Sequence, residues 1–296
     1  MTRLQRETAV GGSAVLMWGA LALLTTWSGD VPPFQLVSMS FAIAFILATG
    51  KWVICGELPT RYLRYPPPVW MLGIAGLFGY HFLYFMALRN APPVEASLIA
   101  YLWPLLIVLF SALLPGGRLR WWHLAGAALG FGGCVSLISG GGLSWRGEYA
   151  VGYLAAIGCA LVWSGYSVLS RRHAAVPTDT VAWFCAATAV LGLLCHLGFE
   201  QTVWPANAGE WLAVAGLGLG PVGVAFFAWD RGVKHGDLRF LGVFSYAAPM
   251  LSTLLLVLFG KAEARWGIAL ACAAIMGGAV LAARDLIFHG RAGAKT

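Results

Sequence analysis

Charge is what this 296-residue chain has least of: Asp, Glu, Lys and Arg make up 10% of it, against 59% hydrophobic residues. Soluble domains carry about 25% charged residues, so a water-exposed globular domain is excluded and an integral membrane protein is indicated. Inside the apolar runs ionisable groups are scarcer still. Only His81 and His196 sit well within them, with Glu95 and the Asp230-Arg231 pair near run ends. Intramembrane ionisable residues are the usual mark of ion coupling, and a lone His is more often packed and hydrogen-bonded than a proton carrier, so nothing here indicates strong proton or sodium coupling. Reactive motifs are missing too. There is no Walker lysine loop, no His-Glu-x-x-His, no Gly-x-Ser-x-Gly and no carboxylate pair within one run, so neither an enzyme nor a bound metal or cofactor is expected. The six cysteines contain no Cys-x-x-Cys pair and fall mostly inside apolar runs, where they read as packing residues.

What is present is length in apolar runs. Each run of about 20 residues is long enough to cross the hydrocarbon layer as a helix, the form that satisfies its own backbone. Ten are predicted: Ala9 to Trp27, Phe34 to Ile54, Val69 to Leu88, Ala91 to Ser111, Trp121 to Ile138, Val151 to Ser170, Thr180 to Phe199, Trp211 to Arg231, Leu238 to Phe259 and Gly267 to Ala283. The first is too long for a signal-peptide core and lacks a cleavage site. With the N-terminus in the cytoplasm, fifteen of the Lys and Arg residues fall in inner loops and tails, and only Arg89, Arg146, Lys261 and Arg265 fall outside. The net charge of +7 therefore follows the membrane and does not indicate nucleic acid. Both termini are expected in the cytoplasm.

The chain also repeats itself. A shift of 145 positions without a gap lays Trp18 on Trp163, Gly73 on Gly218, Phe82 on Phe227, Tyr101 on Tyr246, Pro104 on Pro249, Trp121 on Trp266 and Gly132-Gly133 on Gly277-Gly278, the signature of an internal duplication. An odd number of spans per half inverts the second half, the plan of secondary transporters. The expected fold is all-α: ten transmembrane helices as two inverted five-helix repeats around a central cavity, residues 9–139 and 151–285, joined by an outer linker at 140–150. Small residues in spans five and ten (Gly126, Gly130, Gly267, Ala271, Gly278) suit close backbone approach and read as scaffold or dimer contacts; a monomer or weak homodimer is expected.

The matched prolines mark the candidate site. Pro104 and Pro249 remove one helical hydrogen bond each, from the carbonyls of Ala100 and Ser245, which then either accept from a ligand ammonium or belong to a simple kink. Tyr101 and Tyr246 share these helices, Tyr80, His81 and Tyr84 lie on span three, and Trp18, Trp103 and Trp163 fall in mid-span. Rings and a few hydroxyls suit an apolar ligand with a small polar head, whereas Trp27, Trp121, Trp145 and Trp266 at span ends read as an interfacial belt.

Ten spans in two inverted halves, with Trp18-Gly19-Ala20 and Trp163-Ser164-Gly165 in the first helix of each and Tyr101-Leu102-Trp103-Pro104 in the fourth, resemble the drug/metabolite transporter superfamily, EamA-type. The resemblance covers roughly residues 10–283. It implies a bacterial inner-membrane exporter of aromatic or other neutral amino acids working by alternating access, with Tyr80, Tyr84, Tyr101, Trp103 and Trp163 lining the cavity and Ser245 a polar contact. Export of small drugs or other amphiphilic metabolites is the alternative, and a lipid flippase is a further one. One departure stands out: the Gly-Glu step common after the fourth helix is here Leu114-Pro115-Gly116-Gly117-Arg118, while Glu263 occupies the matching region of the second half.

Overall fold

The computed structural model describes residues 1–115, 119–139, 146–260, 266–282 and 284, the side chains of 137–139 excepted. Linker positions 140–145, Trp145 and Glu263 lie outside the described residues. Within them the structure is helical, without strands. Eight rods, α1 (Arg3–Trp27), α2 (Pro33–Cys55), α3 (Pro67–Asn90), α4 (Pro93–Leu113), α6 (Gly147–His173), α7 (Thr178–Phe199), α8 (Ala208–His235) and α9 (Leu238–Leu258), run 21 to 28 residues with mean hydropathy 1.5 to 2.2. At about 1.5 Å per residue each spans a hydrocarbon layer of about 30 Å. With α5 (Trp121–Ser139) and α10 (Trp266–Ala282) the rods number ten, as expected.

Prolines set several starts. Pro33, Pro67 and Pro93 each occupy the opening turn of a helix, where the missing N–H costs nothing. The first amides of α2 are satisfied from afar: the Glu200 carboxylate accepts from Phe34 N at 3.1 Å and Gln35 N at 3.2 Å, while Arg89 pairs with it at 3.4 Å.

The two halves interleave. α1 packs on α8, α3 on α6, α2 on α7 and α5 on α10, while α4 packs on α6 and also on α9, so each helix of the first half finds its main partner in the second, in the pattern a pseudo-twofold axis requires. The α1–α8 and α5–α10 contacts are both close at backbone level: a Cβ at Gly232 would lie 2.3 Å from Gly11 Cα. A Cβ at Gly126 would lie 2.7 Å from the Gly278 carbonyl oxygen, and one at Gly278 would lie 2.6 Å from that of Gly126. Small residues thus serve an intrachain scaffold, the close approach that holds helices together in lipid.

Arg6, Lys51, Arg171, Arg231 and Arg239 gather at one end of the bundle, called here the basic end. Glu7 of α1 pairs there with Arg231 of α8 (2.9 Å to Nη2); Lys51 and Trp52 of α2 bind Asp179 at the start of α7. Both contacts cross between halves.

Candidate functional site

Five helices are interrupted in mid-membrane: α1 at Ala20, with no counterpart in α6, and four others in pairs at the repeat distance. α3 widens into a π turn at Ala75–Gly79 and α8 at Gly220–Val224; these segments are 145 positions apart. α4 breaks at Tyr101-Leu102 and α9 at Ser245-Tyr246, so that Pro104 and Pro249 fall in the first turn of the resumed segments Trp103–Phe110 and Ala247–Leu258. Proline is tolerated at such a position. The π turn of α8 carries its own proline, Pro221, whereas that of α3 carries none, and π bulges concentrate at functional sites.

A cavity of about 100 Å3 lies among these interruptions, lined by Trp18, Leu21, Tyr80, His81, Tyr101, Trp103, Trp163, Pro221, Val222, Phe226 and Ala248. Six of the nine sequence-nominated residues are thus brought together: Trp18, Tyr80, His81, Tyr101, Trp103 and Trp163. Their rings touch edge to face, with centroids 5.7 Å apart for Trp18–Trp163, 6.3 Å for Trp18–Trp103 and 6.2 Å for Trp103–Trp163, and Tyr80 lies 5.5 Å from Trp163. Edge-to-face contact follows from the ring quadrupole. The Trp18 indole N–H donates to the Pro221 carbonyl at 3.0 Å, tying α1 to the π turn of α8. The Nδ1–H of His81 donates to the Leu77 carbonyl at 2.7 Å; because a carbonyl only accepts, that nitrogen carries a proton.

Three nominated residues sit elsewhere. Tyr84 stacks on Tyr80 (6.1 Å, 6°) and bonds Ser97 Oγ at 3.2 Å, one turn beyond the cavity lining. Ser245 is fully buried; its hydroxyl donates to Leu241 O at 2.7 Å, and its carbonyl accepts from Ala248 N at 3.1 Å. The expectation of a Ser245 carbonyl left open for a ligand is therefore corrected: loss of the Pro249 donor tightens the turn to an i+3 bond. Tyr246 does not mirror Tyr101. It is fully buried against α5, near Phe131 at 6.2 Å, where a Cβ on Gly130 would lie 2.6 Å from its ring.

Sequence reasoning missed Phe226, Trp229 and the π-turn residues Pro221 and Val222. Phe226 lies 5.7 Å from Trp163 and 6.1 Å from Trp18. Trp229, 5.1 Å from Trp18 and stacked on Trp163 at 6.2 Å, is fully buried and donates to Ser167 Oγ at 3.0 Å. It backs the lining rings Trp18 and Trp163 from outside the cavity. Below it stands a buried ion pair that the sequence placed near a span end. Asp230 and Lys234, 1% and 7% exposed, meet at 2.8 Å; Asp230 also accepts from Thr178 Oγ1 at 2.7 Å, and Lys234 donates to Val176 O at 3.0 Å. α8 continues one turn past the expected end at Arg231, which places both charges inside the bundle.

The cavity lining carries aromatic rings, one imidazole, and no carboxylate, ammonium or guanidinium. At about 100 Å3 the cavity is well below the 300–1,000 Å3 of a drug-sized pocket and smaller than the about 150 Å3 cavity that holds a benzene ring, so an aromatic ligand requires the lining to open. Ten apolar helices, eight of them long enough to cross a membrane, in two interleaved repeats with paired interruptions around such a cavity, are the architecture of a multi-pass membrane transporter. Comparison with known proteins supplies the family: the EamA-like transporter family matches residues 10–139 and 150–284, and the chain belongs to it. It is 56% identical to the aromatic amino acid exporter YddG of Ancylobacter novellus over 93% of this chain and 96% of that protein. It is 25% identical to the aromatic amino acid exporter YddG of Salmonella typhimurium, over 86% and 88%, and 28% identical to the pseudopaline exporter CntI of Pseudomonas aeruginosa, over 67% and 68%. A solved crystal structure superposes with a TM-score of 0.89 at 55% identity, covering 94% of this chain and 97% of that one.

Proposed function

We propose that the chain exports aromatic and other neutral amino acids across the bacterial inner membrane by alternating access, without strong ion coupling and without enzymatic activity. The observation that carries the reading is the ring-lined, charge-free cavity at the paired helix interruptions. Trp18, Tyr80, Tyr101, Trp103 and Trp163 would grip the side chain, at about 0.5–1.5 kcal/mol per ring contact beyond buried area. The relatives named as amino acid exporters support the substrate class. The basic end is assigned to the cytoplasm with both termini, in keeping with the positive-inside rule, and the functional unit to a monomer or weak homodimer. The buried Asp230–Lys234 pair is internally neutralised, which favours a carrier running down its substrate gradient.

Purified protein in liposomes tests this with labelled phenylalanine, tryptophan, threonine and a quaternary ammonium dye, with and without a pH gradient. The proposal expects saturable transport of the two aromatic amino acids, none of the dye, and no dependence of accumulation on the gradient. Dye transport without amino acid transport would instead establish the drug-exporter alternative.

A further inference from the structure

The central cavity offers the α-carboxylate and α-ammonium of an amino acid no charged partner. A second cavity does. It measures about 210 Å3, opens at the basic end, and is lined by Leu4, Ser111, Arg171, Gly236, Asp237 and Arg239 among others. These residues come from α1 and α4 of the first half, and from α6, the α8–α9 turn and the start of α9 in the second. The cavity therefore sits on the seam along which the halves would part. Inward from it, α4 and α9 make close contact: a Cβ on Gly242 would lie 3.0 Å from the Pro104 carbonyl oxygen, next to both helix breaks.

The charges in this cavity are held in place. Arg171 spends one of its five N–H donors on the Gly236 carbonyl, at 2.8 Å, and its planar fork suits a carboxylate. It lies within electrostatic reach of both Asp237 and Arg239. Asp237 is 8% exposed and fixed by Arg239 N at 3.0 Å and Phe240 N at 3.1 Å. Arg239 Nε pairs with Asp237 Oδ1 at 3.7 Å. Two guanidinium groups beside one carboxylate form a pattern complementary to a zwitterion with its carboxylate toward the arginines. No such pattern exists in the ring-lined cavity.

We infer that this charged cavity is the cytoplasmic loading site of the carrier, where Arg171, with Arg239, reads the carboxylate of the departing amino acid. The inference rests on the exporter reading above and adds where the polar head is first recognised.

Side-specific kinetics test it. In everted membrane vesicles, which present the cytoplasmic face, Arg171→Gln raises the KM for labelled phenylalanine about ten-fold, the scale of one partly exposed charge-assisted contact, and leaves the maximal rate unchanged. Arg239→Gln shifts KM in the same direction, Arg171→Lys restores most of the loss, and right-side-out vesicles show the wild-type KM throughout. A shift of equal size on both faces, or none on the cytoplasmic face, overturns the inference. A lipid phosphate offers similar chemistry, so the variants are also reconstituted in phosphatidylcholine alone. There the raised KM persists if the arginines read substrate; if it vanishes, they hold an anionic headgroup and the inference falls. Wild-type vesicles that carry no phenylalanine would sink the exporter reading itself, whereas wild-type transport with an unshifted Arg171→Gln sinks this inference alone.

Discussion

Replacing Trp18 by Phe separates two things the indole does. It keeps a ring among Trp103, Trp163, Phe226 and Trp229 but removes the N–H that binds the Pro221 carbonyl at 3.0 Å. That carbonyl lies in the π turn of α8, and losing its partner costs about 0.6 kcal/mol, up to about 1.7, by the range measured for hydrogen bonds between membrane helices. If the whole loss reached the substrate-bound state, affinity would fall between about three- and twenty-fold. Replacing Trp18 by Ala removes the four ring contacts as well, on the order of 2 to 6 kcal/mol at about 0.5–1.5 each. Unfolding titrations in detergent, paired with phenylalanine transport in liposomes, should rank wild type above Trp18→Phe above Trp18→Ala in both readouts. Equal losses for Phe and Ala would refute the claim that ring packing holds α1 in place, and a silent Trp18→Phe would show that the π-turn carbonyl needs no donor.

Three further outcomes follow from the packing. Gly126→Leu should drive α5 and α10 apart and sharply lower the yield of folded protein, whereas Gly277→Ala, whose Cβ would meet only Leu129 Cδ2 at 3.6 Å, should leave yield and transport unchanged. Tyr101→Ala should reduce phenylalanine transport at least ten-fold while Tyr246→Phe transports normally, because only Tyr101 lines the cavity; matching defects in the two would restore the symmetric site. Asp230→Asn leaves Lys234 buried without its countercharge, a loss of about 3–5 kcal/mol for a broken buried pair, and should be visible as a lowered thermal midpoint in detergent.

The broad plan was legible because it rests on long-range regularities: apolar run length, the position of basic residues and the 145-residue offset. The prolines announced the breaks in α4 and α9 for the same reason, since a missing N–H disrupts a helix wherever it stands. The π turns were less legible. Ala75–Gly79 has no proline and leaves no necessary mark, whereas Gly220–Val224 contains Pro221, a mid-span proline that the reading passed over; from it the shared offset leads to the π turn of α3. Phe226 and Trp229 were hidden because an apolar side chain on a membrane helix reads alike whether it faces lipid or a cavity. Duplication misled in one respect. Equivalence by sequence placed Tyr246 with Tyr101, but the missing side chain at Gly130 makes room for the Tyr246 ring against α5, and the corresponding position in the other half is Ile275.

The most direct test of the ring-lined site is photolabelling with a diazirine-bearing phenylalanine in native membranes, followed by mass spectrometry of the labelled peptides. The account predicts label on Trp18, Tyr101, Trp103, Trp163 or Phe226, removed by excess phenylalanine. Label confined to outward-facing residues of α3 such as Met71, 71% exposed, or label that phenylalanine does not displace, would contradict it.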